Sequence, residues 1–410
     1  MRLVFVFTVA LAALPALAQH DMSQMHDMSS MQSTDPATEL LMQQGSGTAT
    51  GPSAAPAHMG AMVERDGWML MAHGNAFVSQ VVQGGPRGGD ALFSTNWVMG
   101  MATRKAGQGQ LMLRTMLSLE PLTVPKGGYP ELFQTGETYR GLPIVDAQHP
   151  HNAFMELAAE YALPLGGDRV GYLYVAPAGD PALGPVAYPH RLSALELPQA
   201  TLTHHLQDST HIAGSVVTVG TRGGPFGIEV SGFHGAEPGE NRWKVSTGAI
   251  DSWSVRASWT PSPNWSAQLS TGHLVHPEAL EIGNVQRTTA SATYFKASTD
   301  GDLAMSLIWG HNHKSDHDTN GVTAEANWRF AAVNYLTGRV EVVDKDELGV
   351  GNGVSTVKAL TAGYTRDILR TTRLLGGIGS NVTYYAIPGS LKAFYGRPWS
   401  VCAFVRVRVQ

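Results

Sequence analysis

From Trp68 onward, apolar and polar residues alternate along the chain, in segments of about ten residues separated by turn residues. The pattern is clearest at the C-terminus, where every second residue from Trp399 to Val409 is apolar and Arg406 and Arg408 lie between them. Residues 111–119 alternate in the same way. A period of two is that of a β-strand, whose successive side chains point to opposite faces. The chain is therefore predicted to be all-β, with two chemically different faces.

Sixteen such segments follow one another. We predict strands at 68–82, 92–105, 109–120, 152–163, 168–176, 211–221, 226–235, 251–260, 264–274, 287–298, 302–311, 321–331, 333–343, 355–366, 371–385 and 399–409. Even-numbered connections are short, whereas odd-numbered ones, such as 121–151 and 177–210, are longer. Tight turns at one end and longer loops at the other are typical of barrels with both termini in the periplasm. We therefore predict a transmembrane antiparallel β-barrel of about 16 strands (14 or 18 if one hairpin is misplaced) over residues 67–410. A soluble β-sandwich is the alternative.

The first 66 residues lack this alternation. Residues 1–18 have the charged start, apolar run and small-residue box of a secretory signal peptide, with cleavage expected after Ala18. Residues 32–66 are rich in Gly, Ala, Ser, Thr and Pro, which predicts a flexible linker, with a short helix around Thr38–Gln43 as a candidate element. Beyond the signal peptide, no run of about 18 apolar residues is present to cross a bilayer as a helix.

The composition agrees with export to the bacterial outer membrane. The chain has 410 residues, of which 46 are glycine and 15% are charged, and tryptophans lie near many predicted strand ends. Such aromatic residues are typical of the girdles at a membrane interface. A net charge of −5 argues against nucleic acid as a partner, and the single cysteine, Cys402, excludes an internal disulfide. Membrane lipid is the expected partner, and no feature of the sequence predicts an oligomeric state.

Between the signal peptide and the linker, residues 19–31 contain two similar hexapeptides, HDMSQM and HDMSSM. Their candidate metal ligands are His20, Met22, Met25, His26, Met28 and Met31. Thioether sulfur is a soft ligand suited to Cu(I), and imidazole binds copper in both oxidation states as well as zinc. We therefore predict a disordered, periplasmic metal-binding tail, with Cu(I) as its preferred ion. The alternative is an exported low-complexity tail whose Met and His content is incidental.

A second set of candidate ligands lies in a predicted outer loop, where His311, His313 and His317 crowd one hairpin with Asp316 and Asp318. Imidazoles and carboxylates two to four residues apart can share a divalent ion such as zinc or Cu(II). We predict a metal site at these three histidines, with turn formation and solvation as the alternative. The segment 204–211 is also rich in histidine, and we interpret it as a structural loop folded into the barrel.

The methionines of the first strands are assigned to faces by counting parity. The four that share a face with polar residues, and so are predicted to line the lumen, are Met69, Met71, Met112 and Met116. Met99 and Met101 share a face, but counting parity does not show whether this face points to the lumen or to the lipid. One interpretation is a thioether path into the pore. The other is that methionine, a flexible side chain, fills irregular gaps in an apolar surface.

An exported Met/His-rich tail joined to a barrel resembles the copper-resistance B-type proteins of Gram-negative bacteria. The resemblance rests on His20–Met31, with His58, Met59 and Met62 as weaker extensions, and it extends to the barrel in architecture. It implies periplasmic copper sequestration or efflux support, with periplasmic copper-handling proteins as partners. Segments such as 148–151 and 208–211 resemble uncharacterised bacterial outer-membrane proteins.

The first hypothesis is therefore an outer-membrane barrel that binds copper and supports copper resistance or homeostasis. A general porin-like channel with an incidental tail is the second. The third is a hydrolase at the barrel rim, for which the candidate residues are His205, Asp208, Ser209 and His211. The chain has no G-x-S-x-G, H-E-x-x-H, Walker or C-x-x-C motif, so we predict that it is not an enzyme.

Overall fold

The computed structural model describes residues 35–56, 60–208, 213–280, 283–299, 301–350 and 353–409. The predicted signal peptide and the Met/His-rich tail at 19–31 lie outside the described residues. Copper binding by the six tail ligands therefore stays a prediction.

Strands dominate the described chain. In chain order they are β1 Gln44–Ser46, β2 Ala49–Thr50, β3 Ala61–Arg65, β4 Trp68–Gly84, β5 Asp90–Ala106, β6 Gly109–Leu117, β7 Tyr129–Tyr139, β8 Leu142–Gln148, β9 Phe154–Gly166, β10 Arg169–Gly179, β11 Ala213–Gly223, β12 Phe226–His234, β13 Ser252–Ser262, β14 Trp265–Val275, β15 Asn284–Ser298, β16 Gly301–His313, β17 Asp318–Phe330, β18 Asn334–Lys345, β19 Ser355–Arg370, β20 Leu374–Ala386 and β21 Trp399–Val409. The α-helices are α1 Pro36–Gln43, α2 Glu120–Thr123, α3 His204–Gln207 and α4 Lys392–Tyr395, with 3-10 turns at Tyr188–His190 and Gly389–Leu391. None of the helices in these ranges is both long and apolar enough to cross a membrane.

Sixteen strands, β4, β5, β6 and β9 to β21, form a closed antiparallel barrel. The seam is made by β21, which pairs with β4 from Trp399 opposite Gly84 to Val409 opposite Gly74. Toward the start of β4, beyond Gly74, the same edge of β4 pairs with β3, with Ala61 opposite Ala72. The pairing of β21 with β4 closes the sheet, so the sixteen strands form one continuous hydrogen-bonded wall. The sixteen predicted strands are confirmed, with shifts of a few residues at their ends, as is the alternation of short turns with longer loops.

Side chains of the barrel wall point alternately to the outer surface and to the lumen, and the polarity of the two faces is the reverse of that in a soluble protein. On β21, Val401, Val405 and Val407 are exposed, whereas Cys402 and Arg406 are fully buried. On β6, Leu113 and Leu117 are exposed while Arg114 is buried, as parity predicted. Apolar side chains therefore point outward and polar ones into the lumen, which is the arrangement of a barrel surrounded by lipid rather than of a sandwich.

Residues 35–56 are not the flexible linker that their composition predicts. The Asp35 side chain accepts a hydrogen bond from the Ala37 backbone N–H and caps α1, which begins with a proline in its first turn. Leu40 and Leu41 are buried against the inner wall of the barrel. After α1, the β1–β2 hairpin turns at Gly47, whose φ of 49° is in the left-handed region. Composition fails here because the segment folds on the barrel wall rather than on itself.

The long connection between β10 and β11 also turns into the lumen, and its described part, 180–208, is called the inserted loop below. Its backbone carbonyls accept hydrogen bonds from side chains of the barrel wall. Arg339 donates to the carbonyl oxygens of Gln199 and Ala200 at 3.2 and 3.1 Å, and Lys345 donates to that of Leu202 at 2.8 Å. These bonds satisfy a backbone that is removed from water. The inserted loop and residues 35–56 together occupy much of the lumen.

Candidate metal-binding sites in the lumen

Methionines form part of the lumen wall on β4, β5 and β6. The methionine wall consists of Met69, Met71, Met99, Met101, Met112 and Met116. Strand register sets His73 opposite Met99 and Met99 opposite Met116, so these three side chains lie in one row across three strands. Side chains directly opposite one another have Cβ atoms about 5 Å apart. The predicted lumen position of the four parity-assigned methionines is confirmed, and Met99 and Met101 face the lumen too.

His190 of the inserted loop joins this row. Its Nε2 atom lies 3.1 Å from Sδ of Met116, and its ring centroid lies 6.3 Å from that of His73. The Trp97 ring lies beside both imidazoles, at 4.4 Å from His190 and 5.3 Å from His73. Two thioethers and two imidazoles thus lie side by side, at His73, Met99, Met116 and His190. We call these four residues the methionine–histidine site.

The methionine–histidine site adjoins open space within the barrel. A cavity of about 450 Å³ has His73, Trp97 and His190 in its wall and extends to Arg329 and Arg370, which lie near the short turns. A single water needs only about 10–15 Å³ of such space, so the cavity has room for many waters or a hydrated ion. The two imidazoles are therefore accessible from inside the barrel, from the end that carries the short turns.

The part of the methionine wall nearest the short turns has another role. Gln110 donates a 2.9 Å hydrogen bond to Asp35, and Gln44 donates a 2.7 Å bond to Glu160, so the ends of α1 lie against the start of β6 and the middle of its antiparallel neighbour β9. Met112 is directly opposite Glu160 and belongs to the same apolar cluster as Leu40 and Leu41 of α1. Here methionine acts as an apolar filler, which was the alternative interpretation.

The loop histidines predicted to bind metal do not converge. Nδ1 of His311 lies 3.2 Å from Asn320 Oδ1, and Nδ1 of His313 lies 2.6 Å from Asp318 Oδ1. His317 is held between Asp316 and Asp346, and the hydrogen bond that its ring donates to the Asp346 carboxylate raises its pKa above the ordinary 6.5. Within the described ranges, no converging group of three His, Cys or carboxylate ligands includes any of these histidines. A metal site at this hairpin remains a prediction without geometric support.

Histidines from other loops do come together. His149, His204 and His205 form one converging group, and His205 forms a second group with Glu237 and Glu278. The described part of segment 204–211 is folded into the barrel, as the sequence predicts, and Gln207 donates to the backbone carbonyls of Ile308 and Gly321, but the sequence did not predict that these histidines meet His149. The available signal was the recurrence of closely spaced histidines at 149–151 and 204–205. Sequence alone does not show that two loops more than fifty residues apart meet inside a barrel.

The residues proposed for a rim hydrolase are only partly described. Asp208 accepts a 2.9 Å hydrogen bond from Arg191, and His205 pairs with Glu237 rather than with Asp208. Ser209 and His211 lie outside the described residues. The structure thus offers no assembled nucleophile and base among the residues that it does describe, and the prediction that the chain is not an enzyme stays a prediction.

The fold is that of the bacterial porins. OmpF of Salmonella typhi, solved as a complex with daunomycin, matches with a TM-score of 0.56 at 9% identity, over 85% of this chain and 100% of that one. An anion-selective porin from Comamonas acidovorans matches with a TM-score of 0.53 at 10% identity, over 84% and 100%. OprB of Pseudomonas putida gives 0.54 at 10% identity, over 84% and 94%.

At such low identity these similarities establish the fold alone. No family model and no curated protein matches the chain. The predicted barrel architecture is therefore confirmed, whereas the resemblance to copper-resistance B-type proteins and the copper chemistry that it implies stay predictions.

Proposed function

We propose that this protein is a bacterial outer-membrane β-barrel that binds copper and supports copper resistance or homeostasis. The observation that carries the proposal is the methionine–histidine site, in which His190 Nε2 lies 3.1 Å from Met116 Sδ beside Met99 and His73. Thioether sulfur is a soft donor that selects Cu(I) over zinc, calcium or magnesium, and imidazole is compatible with the same ion. The indole face of Trp97 adds an attraction for a bound cation.

The four side chains of this row are buried. Met99 and Met116 are 1% and 4% exposed, and His73 and His190 are 6% and 5% exposed. Both methionines pack in the same apolar cluster as Leu40 and Leu41 of α1, so the two imidazoles beside them distinguish this row from the rest of the methionine wall. Thioethers and imidazoles together form a donor set that suits Cu(I). The site also adjoins the cavity through which an ion would arrive.

The tail provides the same donor types in sequence. We propose that His20, Met22, Met25, His26, Met28 and Met31 capture Cu(I) in the periplasm, from solution or from periplasmic copper-handling proteins. The barrel site then provides a second, preorganised position for the ion. Outer-membrane residence is supported by the exposed apolar side chains on the outer barrel surface, which lipid would cover.

A general porin-like channel is the competing function. The fold and the 450 Å³ cavity favour it. The inserted loop and α1 oppose it, because they occupy lumen space that an open pore would need. Conductance in planar bilayers separates the two: a large, constant, unselective conductance of the wild-type protein would support the channel.

Copper binding is tested by titrating Cu(I) into the full-length protein in detergent against a chromogenic Cu(I) chelator. The variant Met99→Leu/Met116→Leu keeps apolar volume and removes both sulfur donors. We expect it to lose one bound Cu(I), while Met305→Leu, on the exposed outer face, behaves as wild type. Substituting Met22, Met25, Met28 and Met31 by Ser is expected to remove the tail sites and leave a folded, heat-modifiable barrel.

The cellular experiment uses the same variants. Cells that express the wild-type protein are expected to tolerate copper better than cells with both the lumen and the tail substitutions. Unchanged Cu(I) stoichiometry in the Met99→Leu/Met116→Leu variant would remove the observation on which the proposal rests.

A further inference from the structure

A cluster of metal-ligand side chains lies at the end of the barrel that carries the long loops, away from the methionine–histidine site. We call it the long-loop cluster; its members are His149, His204, His205, Glu237 and Glu278. One donor atom from each of His149, His204 and His205 lies within 4.8 Å of the other two, and the same holds for His205, Glu237 and Glu278. Two ligands bound to one zinc ion at about 2.0–2.2 Å lie at most roughly 4.4 Å apart. Movements of a few tenths of an ångström would therefore suffice for coordination.

The ligands come from four separate connections. His149 follows β8, and His204 and His205 begin α3 in the inserted loop. Glu237 follows β12, and Glu278 lies between β14 and β15. The last two connections are themselves joined, because the Glu237 backbone N–H donates a 2.8 Å hydrogen bond to the Pro277 carbonyl oxygen. The two groups meet at His205, and the approach of side chains from four chain segments to this histidine is not a consequence of local turn formation.

The three histidines of the cluster are buried, and one of its carboxylates has no hydrogen-bond donor in the described part of the chain. His149 and His204 are each 1% exposed, and the Glu237 side chain is 5% exposed. Neither oxygen of Glu237 accepts a hydrogen bond from a described residue, and its nearest charged neighbour is His205 Nδ1 at 3.4 Å. A buried carboxylate without donors is costly, and a metal cation removes that cost.

Polar groups around the imidazoles hold their orientation. Nε2 of His204 lies 3.1 Å from Gln148 Oε1, and Gln148 is itself held by a 2.6 Å hydrogen bond from Gln134. Nδ1 of His149 lies 3.4 Å from Glu137 Oε1, and Glu137 is ion-paired with Arg242. Ligand histidines in metal sites are typically oriented by a carboxylate or amide oxygen at the second ring nitrogen.

The backbone leaves space for the ring of His205, the residue that belongs to both groups. A Cβ atom at Gly136, whose φ is +114°, would lie 2.6 Å from His205 Nε2. Glycine at this position of β7 therefore lets the His205 ring approach the other two imidazoles.

We propose that the long-loop cluster is a divalent transition-metal site, with His149, His204 and His205 as ligands and with Glu237 and Glu278 as carboxylates beside His205. Three imidazoles with a fourth position open to water form the donor set of a zinc site, and none of the five members is a thioether that would favour Cu(I). The ion ties the inserted loop to the connection between β6 and β9. This site is independent of the copper proposal, because it shares no ligand with the methionine–histidine site.

The test uses the full-length protein in detergent, freed of metal with a chelator and titrated with Co²⁺ as a spectroscopic probe for zinc. We expect one tightly bound Co²⁺ with the intense visible absorption of a tetrahedral site, displaced stoichiometrically by Zn²⁺. His205→Gln and Glu237→Gln are expected to weaken this binding by roughly 10–100-fold or more. Glu240→Gln, at an exposed carboxylate in the same connection as Glu237, is the matched control and is expected to bind as wild type.

Two further measurements keep the result interpretable. Heat-modifiability shows whether each variant is a folded barrel, and Glu237→Gln is the milder substitution if His205→Gln does not fold. Cu(I) stoichiometry is expected to be unchanged in both variants, so failure of this proposal is distinguishable from failure of the copper proposal. Absence of a tetrahedral Co²⁺ spectrum in the wild type, or equal Co²⁺ affinity in wild type and both folded variants, would overturn it.

Discussion

His190 Nε2 lies 3.1 Å from Met116 Sδ, although 74 positions separate the two residues in the sequence. Met116 belongs to the barrel wall, whereas His190 is carried into the lumen by the inserted loop. The row of His73, Met99 and Met116 thus acquires its second imidazole only because a long connection folds inward. Metal binding at this site and closure of the lumen are therefore expected to depend on the same loop.

The first prediction concerns the sulfur atoms in the copper coordination shell. In protein with the four tail methionines substituted by Ser, Cu(I) bound in the lumen is expected to have two sulfur neighbours by X-ray absorption. Met116→Leu removes one of them at nearly constant side-chain volume, so the sulfur count is expected to fall from two to one. Met305→Leu, whose parent side chain is 45% exposed on the outer surface, should leave the spectrum unchanged. A sulfur count that Met116→Leu leaves at two would place the ion elsewhere.

The barrel could be predicted from sequence because its signal is local. A period of two shows which residues of β6 and β21 share a face, and the alternation of short and long connections shows which end each loop occupies. The positions of Met112 and Arg114 in the lumen follow directly from parity. No long-range information is needed for these conclusions.

The filling of the lumen could not be predicted in this way. Residues 35–56 lack periodicity because their partners are wall side chains such as Arg114, which donates a 2.6 Å hydrogen bond to the Gly47 carbonyl oxygen. Parity likewise places Met116 in the lumen but gives no sign of His190 beside it. The prediction of a site at His311, His313 and His317 relied on closeness in sequence, whereas the converging histidines at 149 and 204–205 are close only in space.

A glycine substitution tests whether His205 needs the space at Gly136. Gly136→Ala places a methyl group within 2.6 Å of His205 Nε2, so it is expected to displace the ring and to lower Co²⁺ affinity at least about tenfold. Gly141→Ala is the control, because Gly141 also has a positive φ, of +72°, but has no atom within 4 Å of an added Cβ. Both variants bear a backbone cost of about 1–2 kcal/mol. Equal loss of Co²⁺ binding in the two would assign the effect to backbone strain.

Glu325 on β17 is expected to hold the inserted loop in the lumen. Its carboxylate accepts hydrogen bonds from Arg191 at 2.7 Å and from Ser193 at 2.9 Å, and it also pairs with Arg339. Glu325→Gln removes a negative charge that pairs with the buried guanidinium of Arg191. Breaking a buried ion pair costs about 3–5 kcal/mol. We expect the loop to leave the lumen more often, which raises single-channel conductance in planar bilayers.

The control for this variant is Glu64→Gln, on the exposed strand β3, which should conduct as wild type. Heat-modifiability establishes that the Glu325→Gln barrel is folded. A folded Glu325→Gln barrel with wild-type conductance would mean that the loop is held by its other contacts.

The last prediction is a pH dependence of stability from His151. Nδ1 of His151 lies 2.8 Å from Glu120 Oε2, in the connection between β6 and β9. Burial alone lowers the pKa of His151, but the Glu120 carboxylate outweighs it and raises the pKa above the ordinary value of 6.5. The folded state therefore binds this proton more tightly than the unfolded state does. The stabilisation is complete below pH 6.5 and is lost as the pH rises through the raised pKa.

Thermal unfolding of the detergent-solubilised barrel, followed by circular dichroism between about pH 5 and 9, checks this sign. His151→Gln retains a polar side chain at the position and cannot take up a proton, so the difference in stability between wild type and variant isolates this residue. We expect the wild-type advantage to shrink as the pH increases, because neutral imidazole no longer forms an ion pair with Glu120. An advantage that grows with pH would mean that His151 is neutral in the folded barrel, and that the Glu120 carboxylate does not dominate its surroundings.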